Sequence, residues 1–386
     1  MARSVLQRDI NESGKVPFTV SIPAVAMWEY HEPCQHLIRE TAKWCESLTQ
    51  SSSDACLFSD IMQMLPSNAL EGCEGYSQKL ESTHNIGLCP YASCAHHGRL
   101  CDIRKRADFD CSGLPCPDMS TAGKKLKRAG VTSQVYIAHG RYTTEMQTPL
   151  LLIECTPELD MGMVEDTHPD HDFYQLFSEP TDVGFRGLAR SRTWVIGAHR
   201  QRTTCLYDPF QIQSTLSAAF RANVQAQVSD FLVASPSEIQ MEASRVSLQR
   251  GIPFLSHEPN LAYLLGKGEL STKQGLDSKY MNLYQQHPMS NNNLVYFLGD
   301  SAAYCSWSAS SQKIPTYRLN SKSGKYWLPA QQRWMTSKER LCSMGFPCVK
   351  EVAESMVCRC SAQLTLPGLQ TCVGTRCTLR LVASCS

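Results

Sequence analysis

The sequence lacks any uninterrupted apolar stretch of about 18 residues, the length that a membrane-spanning helix needs. It also lacks an apolar segment near the amino terminus, where MARSVLQRDINESGK has no hydrophobic core, so no secretory signal is predicted. Hydrophobic residues make up 42% and charged residues 19% of the 386 positions, as in an ordinary globular protein. We therefore expect an intracellular protein without a membrane span, built as one large domain or two of moderate size.

Net charge is nearly absent, at +1 from 37 basic and 36 acidic side chains, so it neither requires nor excludes a nucleic-acid partner. The charges are nevertheless segregated. Residues 99–141 contain nine Lys or Arg against four Asp, and residues 154–182 contain nine Asp or Glu with no Lys or Arg. A basic segment can attract phosphate groups, although a solvated surface explains most such segments. It becomes informative only if a chemical site lies within it.

None of the 19 cysteines is paired in a C-x-x-C spacing, which removes the strongest sequence signature of zinc. Without a secretory signal, reduced thiols are expected rather than a disulfide framework. The segment CPYASCAHHGRLC holds Cys89, Cys94, His96, His97 and Cys101, but their spacing matches no standard zinc site. The ligand types suit zinc, but we favour a Cys/His-rich surface loop over a structural zinc site there and predict no metal among the functional residues.

Four short apolar runs are typical of buried strands: SIPAVAMWEY at 21–30, ACLFSD at 55–60, PLLLIECT at 149–156 and TWVIGA at 193–198. Helix-compatible segments such as CQHLIRETAKWCESL lie between them. Their alternation predicts an α/β sheet flanked by helices. Ligands of such sheets bind beyond the carboxyl ends of the strands, which is where Glu29, Asp60, Cys116 and Glu154 are expected.

Residues 206–330 differ in character, because they are rich in Gln, Ser and Asn and show weak periodicity. SNNN and SASSQK within them indicate loops, so we predict a loop-rich small domain or a large insertion. The segment MTSKERLCSMGFP at 335–347 regains helical character, with Thr336 or Ser337 as the N-cap.

The segment GLPCPDMSTAG at 113–123 is the most informative part of the sequence. Pro115 and Pro117 flank Cys116 and fix the backbone on both sides of it, which predicts a thiol held on a rigid bend. The following KKLKR is predicted to begin a helix, and a helix N-terminus and nearby cations both favour thiolate. Cys116 is therefore a candidate nucleophile, whereas most cysteines are small buried hydrophobic residues.

GLPCPDMSTAG resembles the catalytic loop of the cytosine-5 DNA methyltransferases, and four other segments resemble motifs of that family in the family's order. These segments are CLFSDIMQM, LLIECT, GLARSRTWVIG and TSKERLCSMGFP. The spacing is also regular, since Glu154 lies 38 positions after Cys116 and Arg192 lies 38 positions after Glu154. The resemblance implies an α/β fold of the class I S-adenosylmethionine-dependent (Rossmann-like) type, with an irregular target-recognition insertion.

The resemblance also implies a chemistry for three residues. Cys116 matches the thiolate that adds to carbon 6 of cytosine, Glu154 the carboxyl that contacts N3, and Arg192 an arginine that holds the base and the cysteine loop. Because the reacting carbon is stacked inside duplex DNA, the base must flip out of the helix. Without the resemblance, Cys116 is interpreted as a structural thiol and Glu154 as a strand-end carboxylate that caps the following turn. Arg192 is then interpreted as an ion-pair partner of the acidic segment 154–182.

The resemblance implies S-adenosylmethionine as the methyl donor, with four cofactor-binding candidates: Glu29, Asp60, Ile61 and Pro115. Without the resemblance, Glu29 and Asp60 are ordinary helix caps. Two cofactor motifs of the family are absent from the sequence. Residues 1–20 contain Gly14 but no Phe-x-Gly-x-Gly turn, and no Gly-Asn motif follows GFPCVKEVAESM. Around the catalytic motifs, Pro117 replaces a Gln and Cys155 replaces an Asn.

The resemblance implies a division into a catalytic core at 1–205, a target-recognition domain at 206–330 and a return segment at 331–386 that completes the core and carries a Cys-rich tail. Duplex DNA is the expected partner, with transfer RNA as a weaker possibility and a nuclear location in a eukaryote. The alternative function is a catalytically impaired paralogue that binds DNA or another protein, favoured by the missing cofactor motifs.

Overall fold

The computed structural model describes residues 7, 10–15, 17–18, 21–49, 54–120, 123–317, 325–346, 348–349 and 381–383. Its strands are β1 (Ala26–Trp28), β2 (Cys56–Phe58), β3 (Tyr91–Cys94), β4 (Arg99–Asp102), β5 (Phe109–Gly113), β6 (Leu150–Cys155), β7 (His171–Ser178), β8 (Arg192–His199), β9 (Tyr296–Phe297), β10 (Tyr326–Leu328), β11 (Arg333–Trp334) and β12 (Leu381–Ala383).

The longer helices are α1 (Glu32–Thr49), α2 (Tyr76–His84), α3 (Ser133–Met146), α4 (Met161–Thr167), α5 (Pro209–Asn223), α6 (Pro236–Arg250), α7 (Lys267–Tyr284) and α8 (Ser337–Ser343). Short 3-10 helices, including Ile61–Met64 and Lys127–Ala129, connect them. Within the described ranges, no helix is both long enough and apolar enough to cross a membrane.

The strands form three sheets with both parallel and antiparallel pairs. A four-stranded sheet has the order β1-β2-β3-β4, a five-stranded sheet the order β12-β5-β6-β8-β7, and a three-stranded sheet the order β11-β10-β9. The pairs β1–β2 and β5–β6 are parallel, whereas β8 is antiparallel to both β6 and β7. The predicted α/β class is therefore confirmed, and all four predicted apolar runs contain strands.

The core of the five-stranded sheet lies on the side of α3 and α4. Along β6, the side chains of Leu151, Ile153 and Cys155 are buried and alternate with less buried neighbours, as expected of a strand with one face in the core. Ile153 packs in one cluster with Tyr136 of α3 and Met163 of α4. Burial of each large apolar side chain stabilises such a core by about 1.5–3 kcal/mol.

The segment interpreted as a Cys/His-rich surface loop is a β-hairpin. Strands β3 and β4 pair from Tyr91↔Asp102 to Cys94↔Arg99. Gly98 has φ +64° in the turn that joins them, a conformation that glycine adopts without a steric penalty. The side chains of Cys94 and Cys101 are buried, so the hairpin presents two thiols to the interior.

The segment 206–330 contains more regular structure than its sequence indicates, because α5, α6 and α7 lie within it. Its Ser- and Gln-rich helices lack a strong helical periodicity of apolar residues, but their first residues include favourable N-caps. Ser235 caps α6 in a reciprocal capping box with Glu238, and Pro236 occupies the first turn. The predicted boundaries at 205 and 330 stay predictions.

The described part of the return segment packs against residues of 206–330. Trp334 of β11 shares a core cluster with Tyr280 of α7 and Trp327 of β10. Thr336 caps α8 in a reciprocal capping box with Glu339, which confirms one of the two predicted N-caps. The Cys-rich tail at 350–380 lies outside the described residues, and β12 pairs antiparallel with β5.

Candidate active site

The cysteine loop leaves the carboxyl end of β5 and turns back at once. The carbonyl oxygen of Cys116 accepts hydrogen bonds from the backbone N–H groups of Met119 and Ser120, at 3.0 and 2.9 Å. Gly123 closes the loop, since a Cβ atom at this position would lie 1.8 Å from the carbonyl oxygen of Pro117. The turn is therefore tight, as the two prolines and the glycine predict.

Asp118 ties the loop to the start of α3. Its buried carboxylate accepts hydrogen bonds from the backbone N–H and the hydroxyl of Thr132, at 3.0 and 2.7 Å. Gly130 leaves room for that carboxylate, because a Cβ atom there would lie 2.1 Å from the Asp118 carboxyl carbon. The sequence places Asp118 in the motif but gives no signal for its partner.

The segment KKLKR does not begin an α-helix and contributes only to the short 3-10 helix Lys127–Ala129. Lys125 and Lys127 have φ values of 55° and 47°, which an α-helix does not contain, and α3 begins only at Ser133. The segment folds back because Lys127 N–H donates to the Asp118 carbonyl at 3.0 Å. The side chains of Lys124, Lys125 and Lys127 stay exposed beside the loop.

Cys116 lies on a bend outside the strand, as its two flanking prolines predict, but it is buried, with 8% of its surface exposed. It packs with Met119, Tyr136 and Cys155. The Tyr136 hydroxyl donates to the Pro115 carbonyl at 3.3 Å and lies 3.4 Å from Cys155 Sγ. Hydrogen bonding with Cys116, together with burial, raises the pKa of the Cys155 thiol. The candidate nucleophile therefore lies against a second thiol in an apolar site.

Glu154 and Arg192 form an ion pair at the carboxyl end of β6. Arg192 Nε lies 2.6 Å from Glu154 Oε1, and the two side chains are 17% and 28% exposed. Glu154 is in register with Gly113 of β5, close to where the cysteine loop begins. Because neighbouring side chains of a strand point to opposite faces, Glu154 and Cys155 leave β6 in opposite directions. In the structure, Glu154 therefore forms an ion pair with Arg192, whereas Cys116 packs against Cys155.

The cofactor candidates Glu29 and Asp60 follow two parallel neighbouring strands. Trp28 pairs with Phe58, and Glu29 N–H donates to the Phe58 carbonyl at 3.0 Å. Glu29 Oε1 accepts from His31 N–H at 2.7 Å, and Asp60 Oδ1 accepts from Met62 N–H at 2.9 Å. Asp60 therefore caps the 3-10 helix Ile61–Met64, as the helix-cap interpretation predicts, whereas Glu29 orders the turn before α1, which begins at Glu32.

This arrangement also fits a ligand with hydroxyl and amino donors, because two carboxylates stand at adjacent carboxyl ends of a parallel pair. Ile61 begins the 3-10 helix that Asp60 caps and is half-buried against the core of the four-stranded sheet. Pro115 contributes the carbonyl that Tyr136 binds. Chemically, these two carboxylate acceptors suit the ribose hydroxyls and the adenine amino group of a nucleoside.

No model of a known protein family matches this chain, and no curated protein matches it either. Among solved structures, it is similar to the methyltransferase EhMeth of Entamoeba histolytica, at 10% identity and a TM-score of 0.44, over 96% of this chain and 89% of that one. It is also similar to a prophage-encoded putative DNA modification methyltransferase of E. coli, at 15% identity and a TM-score of 0.32, over 61% of this chain and 67% of that one.

Proposed function

We propose that this protein transfers a methyl group from S-adenosylmethionine to carbon 5 of cytosine in duplex DNA, through a covalent adduct of Cys116 with a flipped base. One observation carries the proposal. The parallel pair β5–β6 brings the cysteine loop and the Glu154–Arg192 pair to neighbouring strand ends. The order of the five sequence motifs supports the same assignment.

The reacting residues have complementary roles in this chemistry. Cys116 Sγ adds to carbon 6 and moves the electrons of the C5–C6 double bond to carbon 5. Glu154, in its protonated form, donates a hydrogen bond to N3 of the ring and stabilises the charge that develops there, while Arg192 holds the base. After carbon 5 is alkylated, loss of its proton restores the double bond and expels the thiolate.

The residues that follow β1 and β2 would hold the cofactor. Glu29 and Asp60 would accept hydrogen bonds from its hydroxyl and amino groups, with Ile61 and Pro115 beside them. S-adenosylmethionine supplies the methyl group when it is bound there. The Glu29 and Asp60 carboxylates already accept backbone hydrogen bonds in the structure, so their orientation is set before a ligand arrives.

The proposal requires the cysteine loop to move, because Cys116 is buried against Cys155 and Tyr136. A thiol in that position cannot reach a base. The Asp118–Thr132 contacts hold the loop at α3, so opening must lengthen or break them. DNA phosphates contacting the exposed Lys124, Lys125 and Lys127 would stabilise the open loop.

Duplex DNA that carries 5-fluorocytosine tests the covalent step, because fluorine replaces the hydrogen that must leave carbon 5 as a proton. With S-adenosylmethionine present, we expect an adduct that survives denaturing electrophoresis. The substitution Cys116→Ser should abolish it. The matched control is Cys111→Ser, which changes a thiol on β5, the strand that leads into the cysteine loop, and should leave the adduct in place.

An adduct that persists in Cys116→Ser would overturn the role of this thiol. A folded protein that binds DNA but forms no adduct would favour the alternative, a catalytically impaired paralogue that acts by binding. Competition with unlabelled transfer RNA distinguishes the substrates, since RNA that suppresses the DNA adduct at equal concentration would identify RNA as the better ligand.

A further inference from the structure

A cluster of three thiols and one imidazole lies where β2 meets the β3–β4 hairpin. Cys56 comes from β2, Cys94 from the end of β3, His97 from the hairpin turn and Cys101 from β4. Their Sγ atoms and one ring nitrogen all lie within 4.8 Å of one another. Cys56, Cys94 and Cys101 are buried. We call these four residues the Cys3His cluster.

The distances within the Cys3His cluster match tetrahedral metal coordination. His97 Nδ1 lies 3.7 Å from Cys56 Sγ, 3.3 Å from Cys94 Sγ and 3.4 Å from Cys101 Sγ. A tetrahedral zinc ion with Zn–S bonds of about 2.3 Å and a Zn–N bond of about 2.0 Å separates its nitrogen and sulfur ligands by about 3.5 Å. The four atoms therefore already surround a space of the correct size.

Hydrogen bonding alone does not explain this arrangement. The Nδ1 atom of a neutral imidazole has one lone pair in the plane of the ring, so it accepts one hydrogen bond at most. Here, three sulfur atoms approach that atom at similar distances. A cation at the centre of the four atoms satisfies all of them together.

The surroundings of the cluster supply the contacts that metal ligands usually have. His97 Nε2 lies 2.7 Å from Asp54 Oδ1, and a carboxylate on the far nitrogen fixes the tautomer that presents Nδ1 as a ligand. The backbone N–H of Leu57 donates to Cys94 Sγ at 3.4 Å, which stabilises a thiolate. A carboxylate–histidine pair and an N–H···S bond thus converge on the cluster.

We propose that Cys56, Cys94, His97 and Cys101 bind one zinc ion in a closed, structural site. All four positions come from protein side chains, whereas a catalytic zinc site keeps one position open. The ion joins β2 to the hairpin across 38 residues of sequence and anchors the sheet from which Asp60 projects. The assignment is independent of the methyl-transfer proposal, because it involves neither Cys116 nor Glu154.

Elemental analysis of the purified full-length protein tests the proposal directly. We expect one zinc per chain, retained through dialysis and released by a strong chelator or by a thiol-modifying reagent. Exchange with cobalt should give the absorption bands of a tetrahedral thiolate site. Both measurements use the unaltered chain and remain decisive even if a variant fails to fold.

Paired variants identify the ligands. His97→Ala and Cys94→Ser should lose the zinc, whereas the matched controls His96→Ala and Cys89→Ser should retain one per chain. His96 is the sharper control, because it also lies within ligand distance of His97 and Asp54 at the surface. Asp54→Asn should keep the site but weaken zinc affinity by about 10–100-fold.

A folded wild-type chain that contains no zinc, and gives no tetrahedral bands with cobalt, would overturn the proposal. Equal zinc content in His96→Ala and His97→Ala would overturn the ligand set. A disulfide between two of the three cysteines would also contradict it, and mass spectrometry of the alkylated protein detects that bond.

Discussion

At the scale of single residues, the contact between Asp118 and Gly130 decides how the cysteine loop is held. The carboxylate fits because position 130 has no side chain, and this fit allows two hydrogen bonds to Thr132. The sequence predicts the tight turn from its prolines. It could not predict the tether, because nothing in the local pattern relates Asp118 to Gly130 and Thr132.

Gly130→Ala should destabilise the protein by about 1–3 kcal/mol, since the added methyl group displaces a buried carboxylate from its partners. Denaturant unfolding measures the loss. Gly87→Ala is the matched control, because Gly87 is exposed, lies outside the helices and strands, and has no atom within 4 Å of an added Cβ, so its effect should stay within about 0.5 kcal/mol. Equal effects of the two substitutions would show that the carboxylate does not hold the loop.

At the scale of secondary-structure elements, a buried polar network joins β5, α3 and α4. His139 Nδ1 lies 2.7 Å from His168 Nε2, and His139 Nε2 lies 3.1 Å from Asp110 Oδ1. All three side chains are buried. Burial, followed by the charge of neighbouring His139, lowers the pKa of His168 well below its usual value of 6.5.

This network predicts loss of stability in acid. The unfolded chain takes up a proton on His168 near pH 6.5, whereas the folded chain does not, so the unfolded state binds more protons below that pH. The free energy of unfolding should therefore fall as pH drops below 6.5, by up to about 1.4 kcal/mol per pH unit for this group. Urea titrations between pH 7.5 and 5 measure the slope.

The control for this slope is His168→Gln, which cannot be protonated. The variant should be less stable at neutral pH, because it loses contacts, but its free energy of unfolding should depend less on pH across the same range. An unchanged slope in the variant would assign the acid sensitivity to other groups.

Another buried contact fixes α8 to the strand before it. Glu339 is fully buried and accepts hydrogen bonds from both terminal nitrogens of Arg333, at 2.8 and 2.7 Å. Glu339→Ala should destabilise the protein by about 3–5 kcal/mol, because it leaves the guanidinium buried without its partner. Lys338→Ala removes a more exposed pair with Glu238 and should cost about 0–1 kcal/mol.

Thermal unfolding of both variants measures this difference. A loss in Glu339→Ala no larger than that in Lys338→Ala would show that the buried pair does not stabilise the junction between α8 and β11.

At the scale of the whole molecule, the sequence predicts what depends on local patterns. The apolar run at 149–156 contains β6, and the run at 193–198 lies within β8, because a buried strand needs only a few adjacent apolar residues. The burial of Cys116 against Cys155 could not be predicted, since it depends on how β5 and β6 pair. The sequence pattern also did not relate Cys56 to the other members of the Cys3His cluster. Cys56 lies on β2, and only the pairing of β2 with the hairpin brings it close to them.

The order of the five-stranded sheet has a consequence for association between chains. Strand β7 lies at one end of that order, with β8 as its one neighbour among the described strands. The outer backbone groups of an edge strand can pair with a strand from another chain and begin aggregation. Here the Gln213 amide of α5 donates to the Phe177 carbonyl at 2.7 Å, so α5 occupies part of that edge. The helix thereby protects the native sheet from growing by strand addition at the carboxyl end of β7.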